Sequence, residues 1–168
     1  EEYAPLGNTE FSSIINKIKA AKPDCIYSTV VGGSNVAFYK QLRAAGLDGT
    51  KQTLLSTVVS ENEIEGIGKE NAAGYYACMG YFQSLKNPKN ERFVKAFKAK
   101  YGAGRVIGDP MQVAYNSVHL WARAATVAKS FDPEKVRDAA ANIELDAPEG
   151  LVRVHATSVN DYDWSMVT

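Results

Sequence analysis

A parallel-sheet α/β fold is what this sequence predicts, on three observations. Strand-like and helix-like segments alternate through the first half of the chain. The run at 25–31 is apolar and rich in β-formers nearly throughout, the signature of a strand buried on both faces. Glycine, proline or a helix-capping residue stands at the junctions. Strand, helix, strand, helix at this spacing calls for right-handed βαβ crossovers.

Tyr3 to Leu6 reads as a short extended run ending at Gly7. Thr9 can cap a helix in which Phe11, Ile14, Ile15 and Ile18 recur at i, i+3, i+4 and i+7, one apolar stripe. Lys22-Pro23-Asp24 stops it, because proline disfavours a helical residue before it. The strand from Cys25 to Val31 breaks at Gly32-Gly33, where Ser34 or Asn35 caps a helix carrying Val36, Tyr39 and Leu42 and ending at Gly46. Thr53 to Val59 is the next strand, and Ser60 opens a short acidic helix ending at Gly66-Ile67-Gly68.

The second half changes character. After an extended run from Tyr75 to Phe82, helices dominate. Asn87-Pro88 starts one with Phe93, Val94, Phe97 and Tyr101 on its inner face. Asp109-Pro110 starts a longer one, Met111 to Lys129, and Asp132-Pro133 a third, Glu134 to Asn142, each with proline in the first turn where its missing N–H costs nothing. A Pro148-Glu149-Gly150 turn, an extended run Leu151 to His155 and a polar tail ending at Trp164 close the chain. Three helices after residue 87 need an apolar surface to pack on, yet no strands for a second sheet are present, so further βα units are expected before residue 1.

The composition is that of an ordinary globular protein: 168 residues, 45% hydrophobic, 23% charged. Such a length buries a core without disulfide or metal. With 19 basic and 19 acidic residues the net charge is zero, which removes the electrostatic footprint of a nucleic-acid or anionic-membrane binder. No apolar run approaches the ~20 residues of a spanning helix, and no leader with a cleavage site is seen. The chain opens on Glu1-Glu2-Tyr3 without an initiator Met, which points to processing or to a piece of a longer protein. Cys25 and Cys78 fall in segments expected to be buried strands, so they read as small core hydrophobes, with a disulfide as the alternative. Neither shows the spacing of a zinc ligand.

No catalytic constellation emerges. The histidines are His119, a turn after Tyr115 on one helix face, and His155 near the tail, and no Gly-x-Ser-x-Gly elbow exists. Gly66-Ile67-Gly68 lacks the third glycine of a dinucleotide fingerprint and closes a helix instead of opening one. Glu61, Glu63 and Glu65 read as a solvated face. A small hydrolase or transferase would need a nucleophile–base pair that is not evident. No cofactor and no metal is implied.

Position does argue for binding. In an open parallel sheet ligands sit beyond the carboxyl ends of the strands. Two such ends here are Thr29-Val30-Val31-Gly32-Gly33-Ser34-Asn35 and Ser56-Thr57-Val58-Val59-Ser60-Glu61, each leading into a helix N-terminus with free N–H groups. Small hydroxyls, glycine backbone and valine methyls, with no Arg, Lys or Asp, suit a small, polar, uncharged ligand. Spacing alone equally allows that Gly32-Gly33 only makes a tight turn.

At these residues the chain resembles the type I periplasmic binding proteins of the branched-chain amino-acid family, in its urea and short-chain amide branch. The similar stretches are Tyr3-Ala4-Pro5-Leu6-Gly7 with Phe11-Ser12, Ile18-Lys19-Ala20-Ala21-Lys22-Pro23-Asp24 and Tyr27 to Asn35. They continue with Gly66 to Asn71, Tyr81-Phe82-Gln83-Ser84, Phe97 to Gly102 and Asp146-Ala147-Pro148-Glu149-Gly150. The resemblance implies one of two α/β lobes joined by three crossovers, with ligand enclosed between them. Residues 1–74 would then be a βαβ portion of the second lobe, 75–150 a crossover and helices belonging to the partner lobe, and 151–168 a return strand and tail.

By the same resemblance the chain would serve an ABC importer, with a permease as partner and a missing N-terminal lobe completing the cleft. It would be periplasmic, or extracellular and lipid-anchored; a cytoplasmic amide sensor of the same fold is the alternative. Amino-acid-binding relatives hold the ligand ammonium with an acidic residue at the strand end that here reads Val58-Val59, and no carboxylate stands there. Amide-binding relatives carry a small apolar residue where Val31 stands, which matches, and a hydroxyl residue where Val58 stands, which does not. After Gly150 the relatives usually have proline, where this chain has Leu151.

Overall fold

Phe11 opens a helix that its own neighbours cap poorly, so the cap comes from elsewhere in the fold. In the computed structural model, which describes residues 1–154, α1 (Ser12–Ala21) starts at Phe11 and not at Thr9. The Phe11 N–H donates 2.9 Å to Gln41 Oε1, and Gln41 Nε2 donates 2.8 Å to the Thr9 carbonyl. Glu10 takes the Ser12 N–H at 2.8 Å, and bonding from the Ser12 hydroxyl and then this N–H holds its carboxyl below the usual range. Lys22, at φ 46°, ends the helix in the left-handed conformation before Pro23.

The described residues fall into two compact units, Glu1–Leu85 with Lys98–Asp109, and Lys86–Phe97 with the chain from Pro110. In the first, β1 (Cys25–Ser28), β2 (Thr53–Ser56) and β3 (Tyr76–Ala77) form a parallel sheet in that order. The crossovers carry α2 (Ser34–Ala44) and then α3 (Glu61–Ile67) with the short α4 (Lys69–Ala72). The expected parallel α/β class is what the chain adopts. The strands are shorter than expected, because Ser28 and Ser56 turn the chain away before the valines that follow.

One face of the sheet is filled and the other is open. Side chains alternate along each strand, so Ile26 and Leu54 turn one way and Tyr27, Leu55 and Tyr76, aligned in one register row, turn the other. The first face packs on α1 and α2 through Phe11, Ile15, Phe38, Tyr39, Leu42 and Leu54, all 3% exposed or less. On the second, Tyr27 is 65% and Tyr76 64% exposed. The expectation that Cys25–Val31 is a strand buried on both faces is therefore corrected. β1 is an edge strand covered on one side among the described residues.

The cysteines follow the same correction. Cys25 and Cys78 are free and exposed, not core hydrophobes. Cys25 pairs in register with Thr53 on one side of β2, while the Cys78 N–H donates 2.8 Å to the Ser56 carbonyl on the other. Two strand spacings, about 9.5 Å, separate their strands, and an offset of about four residues along them adds roughly 13 Å in the other direction. That exceeds the ~7 Å limit for a disulfide, so the intrachain alternative fails as well.

The second unit is helical with a hairpin. Its elements are α5 (Pro88–Tyr101), which ends in the first unit, α6 (Asp109–Ala128), α7 (Pro133–Ala140), β4 (Glu144–Ala147) and β5 (Gly150–Arg153). Asn87 Oδ1 caps α5 by accepting from Lys89 N–H and Asn90 N–H at 3.0 and 2.8 Å. Asp132 caps α7 by accepting from Lys135 N–H at 3.1 Å. Ala124, Ala125, Val136 and Ile143 form the unit's small core.

β4 and β5 pair antiparallel around the Pro148-Glu149 turn, and β4 has no counterpart in the sequence reading. The Glu149 carboxylate accepts from the carboxamides of Gln112 and Asn116, tying the turn to α6. Tyr101, placed on the inner face of its helix by periodicity, is 55% exposed. His155, the end of the expected extended run, and the tail to Trp164 lie outside the described residues.

Candidate functional site

Two serines at matched positions shape the carboxyl end of the sheet. Ser28 and Ser56 are register partners on β1 and β2, 4% and 0% exposed. Each hydroxyl accepts from the N–H two residues on, Ser28 Oγ from Val30 at 3.4 Å and Ser56 Oγ from Val58 at 3.3 Å. Such serine turns replace the next ladder step with a local bond and send the chain off the strand. Parallel pairing then brings the two loops, 29–33 and 57–60, out side by side. Thr57 N–H still reaches the Ser28 carbonyl at 3.4 Å, and Thr57 Oγ1 lies 3.5 Å from the Tyr27 hydroxyl. Ser56 also hydrogen-bonds the buried Tyr39 phenol, whose pKa burial nonetheless pushes up.

The first loop is held from below. Gly32 takes φ 61°, a left-handed turn that glycine adopts freely. Gly33, not Ser34 or Asn35, is the N-cap of α2, with no side-chain cap. The Asn35 and Val36 N–H groups close back onto the Gly32 and Gly33 carbonyls at 3.1 Å. Asn35, fully buried, donates its Nδ2 to the Val30 carbonyl at 2.6 Å. Val31 is 42% exposed at the tip, while Thr29, Gly32 and Gly33 are also exposed and Val30 is half-buried.

The second loop feeds a well-capped helix. Ser60 Oγ accepts from the N3 backbone of α3, while the Ser60 N–H donates 2.8 Å to Glu63 Oε2, a full capping box. Thr57 and Val58 are half-buried, and Val59, 3% exposed, belongs to the core. Glu61 accepts from Ser84 N–H at 3.1 Å. So Glu61 and Glu63 serve backbone groups, and the reading of them as a merely solvated face is corrected.

A half-open cavity of about 130 Å³ lies against Thr29, Val30, Val31 and Ser34, flanked on the other side by the exposed 2–6 segment. A second, about 230 Å³ and largely apolar, runs beside β1 over Phe11, Ile14, Ile18 and Ile26. The carboxylate nearest the first cavity, Glu2, pairs with Lys17 at 2.8 Å. Among the described residues no group of three or more His, Cys, Asp or Glu is placed to hold a metal ion, and no helix is long and apolar enough to cross a membrane. His119 packs tilted against Tyr115, ring centroids 4.4 Å apart. Ser34 and Asn35 stand in the sequence as cap candidates within the strand-end stretch; their burial beside the loop has no periodic signature.

Comparison with known proteins gives the family of the chain. The family described as "Periplasmic binding protein domain" matches residues 1–168. A limonene hydroxylase of Geobacillus stearothermophilus is 32% identical over 90 residues, 54% of this chain and 17% of that protein. A leucine-, isoleucine-, valine-, threonine- and alanine-binding protein of Pseudomonas aeruginosa is 28% identical over 148 residues, 86% of this chain and 37% of that protein. Among solved structures, an ABC-transporter solute-binding protein from R. palustris in complex with benzoate superposes with a TM-score of 0.77 at 22% identity, over 91% of this chain and 42% of that one. The chain thus spans well under half the length of these relatives.

Proposed function

This chain belongs to the periplasmic binding protein domain family, and from that premise we propose that it is part of the solute-binding component of an ABC importer, with urea or a short-chain amide as ligand. The 29–33 and 57–59 loops form one wall of the cleft, with Thr29, Val30, Val31, Gly32, Gly33, Thr57 and Val58 facing ligand and Val59 backing them from the core. Residues 1–74 belong to one lobe, and the helices within 75–150 belong to the partner lobe. The rest of the cleft comes from polypeptide that the longer relatives contain. The protein works outside the cytoplasmic membrane and hands its ligand to a permease.

One observation carries the ligand class: the wall is neutral. Val58 offers no carboxylate to a ligand ammonium; of the nearby carboxylates, Glu63 is bonded to Ser60, Glu2 to Lys17, and Glu61 to the Ser84 N–H through Oε1, its Oε2 being buried without a partner. Burying an ammonium without a partner costs several kcal/mol, whereas an amide needs only hydrogen bonds and a methyl contact.

Thermal unfolding of the full-length protein with acetamide, urea, leucine or benzoate tests this reading. A ligand that binds only the folded state raises Tm with concentration. Acetamide or urea should do so and leucine should not. A larger shift with leucine or benzoate overturns the amide assignment.

A further inference from the structure

Ser34 is 4% exposed, yet its Oγ has no hydrogen-bond partner. Buried hydroxyls in folded proteins are nearly always paired, so an orphan calls for an explanation. Two further facts locate one. Ser34 is the first residue of α2, where the helix dipole places partial positive charge. It also borders the cavity of about 130 Å³ whose other walls include Val30 and Val31. The hydroxyl therefore sits at the meeting of a helix N-terminus, a small cavity and the apolar loop tip, with a proton to donate and nothing in the protein to take it.

We propose that Ser34 is a ligand-binding residue: its Oγ–H donates to the carbonyl oxygen of a compact neutral amide seated in this cavity. The inference rests on the reading of the 29–33 loop as a cleft wall, and to the Thr29 and Thr57 hydroxyls of that wall it adds a buried hydroxyl donor. The carbonyl oxygen carries the ligand's largest partial negative charge, so it belongs at the donor and at the positive end of α2. The ligand's methyl group meets Val30 and Val31. Asn35 takes a different part. Its Nδ2 is committed to the Val30 carbonyl, which holds the loop in place, while its Oδ1 is buried without a hydrogen-bond partner.

The test is Ser34→Ala in the full-length protein, with acetamide binding measured by calorimetry and Tm measured without ligand. The hydroxyl bonds nothing in the free protein, so its removal should leave Tm unchanged or raise it. The acetamide Kd should rise about five- to tenfold, the usual worth of one hydrogen bond. An unchanged Kd in a variant that keeps wild-type Tm overturns the role of Ser34 while leaving the amide reading intact. A lower ligand-free Tm would make Ser34 a structural residue and overturn it too. Failure of the wild-type protein to bind acetamide or urea overturns both together.

Discussion

The Asn35 side chain, fully buried at the start of α2, donates its Nδ2 to the Val30 carbonyl oxygen at 2.6 Å across the turn that carries Val31, Gly32 and Gly33. The bond joins the helix to the loop it follows, so the exposed tip inherits the rigidity of the core. Asn35→Ala leaves the Val30 carbonyl without its partner and should cost about 1–3 kcal/mol. Calorimetric unfolding should show a lower Tm, and acetamide affinity should fall with it. An unchanged Tm would mean that the loop holds its shape without the clamp.

The capping box of α3 is a second separable contribution. Ser60 is 1% exposed and exchanges bonds with Glu63. Ser60→Ala should destabilise by about 1 kcal/mol. Guanidinium chloride is the appropriate denaturant, since urea is a proposed ligand. The midpoint should move down without a change in slope, as expected when stability and not compactness is altered.

Two glycines should respond in opposite directions. A Cβ on Gly49 would lie 2.4 Å from the backbone carbon of Gly74. Nothing flexible can yield there, so Gly49→Ala should cost about 1–3 kcal/mol or more. Gly33 has helical dihedrals, φ −61° and ψ −22°, and open space where a Cβ would stand. Gly33→Ala should be neutral or stabilise by about 0.4–1 kcal/mol through loss of unfolded-state freedom. Parallel melting curves decide both.

Tyr75 makes the pH prediction. Its hydroxyl donates to the Leu47 carbonyl, and burial, with Asp48 nearby, pushes its pKa up to about 12. Folding thus favours the protonated phenol over its unfolded value near 10. The stabilisation is complete below about pH 10 and disappears as pH rises through about 12. Tyr75→Phe should narrow its stability gap from wild type across that window, read from unfolding at stepped alkaline pH. A gap that stays constant from pH 9 to 12 would place the Tyr75 proton in the ordinary range.

Much of the fold was legible along the chain. Helix starts at Ser60, Asn87 and Asp132 follow local hydrogen bonding, and the structure places caps at all three. Where partners are distant, local reading fails. Thr9 looks like the cap of α1, but Gln41 supplies the bond to Phe11 from the next helix. The valines after Ser28 and Ser56 extend an apolar run, but each serine hydroxyl takes the N–H two residues on and ends the strand.

By itself the sequence determined the parallel α/β class, the order of its elements and the neutral character of the loops at the strand ends. Those follow from periodicity, capping and residue type, which act over a few residues. Tertiary structure alone decided that one sheet face stays open beside Tyr27 and Tyr76, that the two cysteines stand on opposite sides of β2, and that the Ser34 hydroxyl is buried without a partner. Burial depends on what packs against a residue from far along the chain, and no local pattern carries that information.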